Sequence, residues 1–172
     1  MNNAELEQYH PEVDRVLHLR GWFIHCFAQI EFMLGELISV SLASHHYDHL
    51  DRTFPFGVSQ RIDRVEKILA ASGPLAPFEG DLGPLLSAFK KSVEDRNVIA
   101  HGYSEFHVGT DGTCAVRFLK WQRDPKGHRH NQLYDVYLPV EHLQKDVESL
   151  CELADKCMSI LSKIRGGSPP VQ

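Results

Sequence analysis

Apolar residues return every three or four positions along the first quarter of the chain. From Pro11 to Ser44 they run through Val13, Val16, Leu17, Phe23, Phe27, Ile30, Leu34, Leu37 and Ile38, a period that predicts one long helix. Breaker residues then dominate from Ser44 to Val58, with Phe54-Pro55-Phe56-Gly57 at the end of the stretch. A second helix is expected to start with Ser59 as its N-cap and to carry Ile62, Val65, Ile68 and Leu69 toward Ser72-Gly73. After Pro74, Pro77 and Gly80 a third helix is expected near Gly83-Pro84, where a proline in the first turn is tolerated. It continues over Leu85, Leu86, Phe89 and Val93 to His101-Gly102.

From Tyr103 the period falls to two. The segments 103–108, 114–122 and 132–138 are rich in Val, Phe, Tyr and Trp, and Gly109-Thr110-Asp111-Gly112 reads as a turn between the first two. A longer loop is expected at 123–131. Pro139 ends the meander, and a last helix follows on Leu143, Val147, Leu150, Ala154, Met158, Leu161 and Ile164. The chain therefore reads as mainly α: a four-helix bundle with a small antiparallel β-meander, about 103–138, inserted before the last helix. One domain over 1–165 is expected, with 166–172 as a disordered tail on Gly166-Gly167-Ser168-Pro169-Pro170.

Polar residues at stripe positions carry more information than the stripe itself. Taking Val93 as zero, Leu82, Leu86, Phe89 and Ala100 lie within about 40° of it, while Arg96 and Asn97 flank the same line at about 60° and 40°. His101 sits one turn beyond Asn97 on the same face, and Asp95 points the other way. The first helix has a matching break, because Glu31 falls inside the arc of Phe23, Phe27, Ile30, Leu34 and Ile38. A buried carboxylate needs a partner, and the planar, always charged fork of Arg96 suits it. Glu31, Arg96, Asn97 and His101 thus form one expected polar constellation. It has two readings: an Arg–Glu pair and an Asn cap that fix helix register, or a histidine whose proton affinity is lowered beside a fixed cation, so that it acts as a base.

Composition narrows the class. The 172 residues include 18 basic and 23 acidic side chains, a net charge of −5, which excludes a broadly basic nucleic-acid clamp but leaves room for a local basic pocket. Hydrophobic residues at 42% and charged residues at 24% exclude a disordered chain or a coiled-coil rod. Four cysteines without a C-x-x-C pair suit a reducing cytosol, so a cytoplasmic location is expected, with Cys151 and Cys157 as packing residues. Met1–Gln8 is too acidic for a signal peptide. The stretch from Trp22 to Ala43 is apolar, yet Glu31 and Glu36 would each cost about 2.5–3.5 kcal/mol in a bilayer, so no membrane span is expected.

The residues Arg96-Asn97-Val98-Ile99-Ala100-His101-Gly102 resemble the signature of the HEPN superfamily, the higher eukaryote and prokaryote nucleotide-binding domains: an Arg, a polar residue, and a His four to six places on, near the end of the third core helix. With Tyr103 the stretch is also similar to the Arg-x4-His-x-Tyr form of HEPN toxins paired with a minimal nucleotidyltransferase. The order of helices resembles that fold over most of 12–164. The resemblance implies a metal-independent endoribonuclease of a toxin–antitoxin or defence system, or a catalytically silent RNA- or nucleotide-binding relative. In the active form His101 would take the proton of a ribose 2′-hydroxyl, Arg96 would stabilise charge on the phosphate, and Asn97 would orient the ring or a substrate group. Paired motifs would meet across a homodimer, a cognate antitoxin would be a partner, and no metal or other cofactor would be needed. A strand follows Tyr103 here, where the toxins continue as helix, so Tyr103 is expected to stack a base or pack the hairpin rather than to be a modified residue. The alternative to all of this is a non-catalytic helical dimer in which the constellation is structural.

Three further features of the chain invite a functional reading. His45, His46, Asp48 and His49 could suggest a metal, but no second ligand pair stands at recognised spacing, and solvated loop histidines are expected. Arg117, Lys120, Trp121 and Arg123 beside Lys126, His128, Arg129 and His130 read either as a phosphate-tracking surface or as a charged hairpin edge. Finally, Trp22, Cys26, Met33 and Val40 lie about 100–140° from Phe27, an apolar strip expected to form the dimer contact.

Overall fold

The computed structural model describes residues 3–110, 112–123 and 131–167. Helix α1 spans Asn3–Leu42, α2 Val58–Ala70 and α3 Glu79–His101; strands β1 Tyr103–Val108, β2 Cys114–Arg123 and β3 Asn131–Pro139 follow; α4 spans Val140–Gly167. Short 3-10 turns occupy His45–Tyr47 and Ala76–Phe78. The protein is mainly helical, with a small antiparallel sheet ahead of the last helix. Of the expected tail, Gly166 and Gly167 belong to α4, and 168–172 lie outside the described residues.

Helix starts depart from expectation for local reasons. α1 begins well before Pro11, which it carries inside. Gly57, not Ser59, is the N-cap of α2: its backbone is extended, and Gln60 Oε1 accepts its N–H at 3.4 Å. α3 opens four residues ahead of Gly83, straight out of the 3-10 turn, with Glu79 and Asp81 in its first turn where the helix dipole favours acids. The strands fall within a residue of their predicted bounds. Gly112 lies at φ 80° in the turn after β1, where its N–H bonds Gly109 O at 3.0 Å; Asp111 of that turn is outside the described residues.

The chain divides into two compact units, and α1, α3 and α4 each contribute to both. The first comprises 1–25 and 94–149, the second 26–93 and 150–172. In the first, Val16, Leu19 and Phe23 of α1, Val98 and Ile99 of α3, Val116 and Phe118 of β2, and Leu143 and Val147 of α4 are buried. Leu17, expected on the buried stripe, is 50% exposed. The strands pair in the order β1-β2-β3. Register puts Val116 and Phe118 on the inward face and Tyr103, Arg117, Trp121 and Tyr137 together on the outward one.

In the second unit, Phe27 and Phe89 meet with ring centroids 4.4 Å apart, among buried Ile30, Leu34, Ile62, Ile68, Leu82 and Leu86. Cys26 and Cys151 form a disulfide there, joining α1 to α4. That corrects the reading of Cys151 as a packing residue. The two cysteines are 125 positions apart, so only the meeting of two helices, and no local spacing, could reveal the bond. Cys157 is a buried free thiol, pushed up to about 11 by that burial. The stretch Pro11–Leu42 is long and apolar enough to cross a membrane by length and composition, and 44% of its most apolar window is buried within the protein. Glu36 on it pairs with Arg165, whose guanidinium also lies 5.7 Å from the Phe32 ring.

Candidate functional site at the end of the third helix

The last two turns of α3 belong to the first unit and bury a different side from the rest of the helix. Leu82, Leu86 and Phe89 face inward in the second unit, whereas Val98 and Ile99 are the buried residues near the terminus. Val93 and Ala100, expected on the buried line, are only half-buried. Arg96 and Asn97 are half-buried as well, and Arg96 Nη1 donates to Asn97 Oδ1 at 3.1 Å. His101 is exposed and makes no hydrogen bond or ion pair among the described residues. Tyr103, two residues on, is 67% exposed on the outward face of the sheet. Glu31 is half-buried on the part of α1 that belongs to the second unit.

A helix end leaves carbonyls without partners, and buried ones must find donors. Two cations meet that need here. Arg20 on α1 donates through Nη2 to Ala100 O at 3.0 Å and to Gly102 O at 3.1 Å, with its guanidinium 5.8 Å from the Phe118 ring centroid. Lys120 on β2 donates to Asn97 O at 3.0 Å. Gly102 closes the helix with its N–H on Val98 O at 2.7 Å. A β-carbon at this position would collide with the Val98 carbonyl and approach Leu119 O to 3.3 Å, so only glycine lets the chain turn directly into β1. Arg20, Lys120 and Arg96 thereby bring three positive charges to the helix end that carries His101. Sequence reasoning missed Arg20 altogether, since a lone cation beside an apolar stripe reads as solvent-facing.

Two expectations need correction. Lys120 and Arg117 do not form one basic surface, because alternation along β2 puts them on opposite faces. Arg117 instead pairs with Asp135 at 2.6 Å and Glu105 at 3.4 Å. Its bonds hold the Asp135 carboxyl below the usual carboxylate range. The side chains of Arg123, Lys126, His128, Arg129 and His130 lie outside the described residues. The apolar strip on α1 is also not open: Cys26 is 2% and Met33 0% exposed, because the chain's own second unit covers them. Of that strip only Trp22 is well exposed, with Nε1 donating to His18 Nε2 at 2.9 Å.

Asp95 is exposed, yet loss of surrounding water raises its carboxyl above the ordinary value, helped by the nearby charges of Asp146 and Glu94. In the second unit His45 Nδ1 lies 3.1 Å from Asp48 Oδ2. Among the described residues no three His, Cys, Asp or Glu side chains come together as a set that could hold a metal ion. Comparison of the chain with protein-family models, curated proteins and solved structures finds no match.

Proposed function

We propose that the end of α3 is the active site of a HEPN-like, metal-independent endoribonuclease that acts as a homodimer. The observation that carries the reading is an exposed, unengaged His101 one turn beyond the Arg96–Asn97 pair, at a helix end where Arg20 and Lys120 add positive charge. His101 takes the proton from a ribose 2′-hydroxyl. The resulting oxygen attacks the adjacent phosphorus, the bond to the 5′-oxygen breaks with that oxygen taking a proton from water, and the products carry a 2′,3′-cyclic phosphate and a 5′-hydroxyl. Arg96 stabilises the charge that develops on the phosphate oxygens, held in place by its bond to Asn97. Tyr103 offers a free ring on which a base can stack. The nucleophile is internal to the substrate, so positioning does much of the work. Leu17 and Ile24, which are 50% and 38% exposed and lie two turns apart on one face of α1, support a contact with a second copy.

A second reading has its own observation. Arg20 and Lys120 are spent on backbone carbonyls, as expected of a helix end built for stability in a non-catalytic partner-binding module. End analysis separates the two. Incubating single-stranded RNA with the protein in EDTA should give 2′,3′-cyclic phosphate ends, and a single 2′-deoxy substitution at a cleavage position should block that position. Cleavage that survives the 2′-deoxy substitution, or that EDTA abolishes, defeats the catalytic reading.

A further inference from the structure

A loop in the second unit, 48–57, is tied down by three arginines, and one of its residues is left standing out. Arg52 pairs with Asp48 at 2.5 Å and donates to Leu42 O at 2.9 Å. Arg61 donates to Pro55 O at 3.0 Å and lies 5.3 Å from the Phe54 ring. Arg64 bonds both the backbone carbonyl and the carboxylate of Asp51, while the N–H and hydroxyl of Thr53 donate to the same carboxylate. Phe56 is 94% exposed at the end of this framework. A loop free to rearrange would cover such a ring; this one is held by its own Arg52 and by Arg61 and Arg64 of α2.

Between the loop and the outward side of α2 lies a cleft of about 410 Å³, lined by Phe54, Phe56, Gln60, Asp63, Arg64 and Lys67 among others. That volume falls in the range of small-molecule sites. Its carboxylates have cationic partners: Asp51 pairs with Arg64 at 2.9 Å, and Asp63 with Lys90 at 3.0 Å, a lysine outside the lining that also reaches Glu66 at 3.6 Å. Lys67 is exposed and has no hydrogen bond or ion pair among the described residues. Gln60 uses its amide oxygen on Gly57 N–H, which leaves the NH2 group as a donor toward the cleft. The cleft therefore presents an open aromatic face, a lysine with no direct partner among the described residues, and an amide donor.

We propose that this cleft binds a nucleobase together with its phosphate, the base stacked on Phe56, the phosphate on Lys67 and the Gln60 amide donating to a base or ribose oxygen. The ligand is either a free mononucleotide or one nucleotide of a single-stranded RNA. The proposal stands independently of the site on α3 and needs neither cleavage nor a dimer.

The test is calorimetric titration of the full-length protein with 5′-AMP and with adenosine, and anisotropy with a labelled oligoadenylate. Phe56→Ala should weaken both AMP and adenosine by about tenfold, the usual size of a lost base–aromatic stack. Lys67→Glu should weaken AMP and leave adenosine unchanged. Both side chains are exposed, so unfolding midpoints should match wild type. Tight oligoadenylate binding that Phe56→Ala weakens, with weak AMP binding, assigns the site to RNA; AMP displacing the oligomer assigns it to the free nucleotide. The proposal is overturned by no binding of AMP or oligoadenylate up to about 10 mM, by titrations that Phe56→Ala leaves unchanged, or by AMP binding lost in His101→Ala. It is also overturned if Phe56→Ala abolishes only a concentration-dependent self-association.

Discussion

The end of α3 in the first unit and the loop 48–57 in the second solve the same problem with the same chemistry. In each, cationic side chains donate to backbone carbonyls that regular structure leaves over: Arg20 and Lys120 in one, Arg52, Arg61 and Arg64 in the other. Each arrangement fixes a short stretch of backbone and presents an exposed side chain, His101 in the first and Phe56 in the second. The difference lies in the setting. The helix end is grafted onto a buried turn and a sheet, while the loop is an exposed segment in a unit whose helices are cross-linked by a disulfide. In both places stability resides in the holders and chemistry in what they hold.

The largest expected effect separates the two units. Reducing Cys26–Cys151, or replacing Cys151 by Ser, should cost about 2–5 kcal/mol, since the bond closes a long loop in the unfolded chain. Denaturant titration with and without reductant measures it. A bond of this kind is rare in a reducing cytosol, so unchanged stability on reduction would restore the purely packing role of Cys151. Removing a holder comes next. Arg20→Ala should cost about 1.5–3 kcal/mol, because it strips charged donors from the carbonyls of Ala100 and Gly102. Arg20→Ala at wild-type stability would show that water replaces the guanidinium at no cost.

The smallest effect is electrostatic and signed by pH. The Asp95 carboxyl is raised in the folded protein, so the ionised form is disfavoured there. Its contribution is therefore most favourable below the ordinary value of 3.8 and declines as pH climbs through the folded value. Asp95→Asn should gain less than about 0.5 kcal/mol at pH 7, the side chain being exposed. That gain should vanish in acid. A gain that persists below pH 3.8 would assign the effect to something other than charge.

Much of the fold is legible in the chain, for reasons visible in particular residues. Alternation and flanking turn residues placed all three strands, and Arg96, Asn97 and His101 drew attention as polar residues in an apolar pattern. Helix starts were less legible. Ser59 looks like a cap, but Gly57 takes that role because Gln60 reaches back to its N–H. Leu17 keeps the stripe's period yet is exposed, since periodicity states that a face is apolar and not what covers it. Arg20, Lys120 and the Cys26–Cys151 bond all act across long sequence separations, and no local pattern marks them. The same holds for Phe56: its loop reads as breaker residues, and only Arg52 with Arg61 and Arg64 of α2 turn that loop into a scaffold.

The most direct measurement is the single-turnover cleavage of a single-stranded RNA by wild-type protein and by His101→Ala, in EDTA, with unfolding midpoints recorded alongside. His101 is exposed and makes no hydrogen bond or ion pair among the described residues, so the variant should keep its stability within about 1 kcal/mol while losing the about 10²- to 10⁴-fold contribution of a general base. Equal cleavage by the two proteins, or no cleavage by a fully folded wild type, would contradict the catalytic role of the helix end.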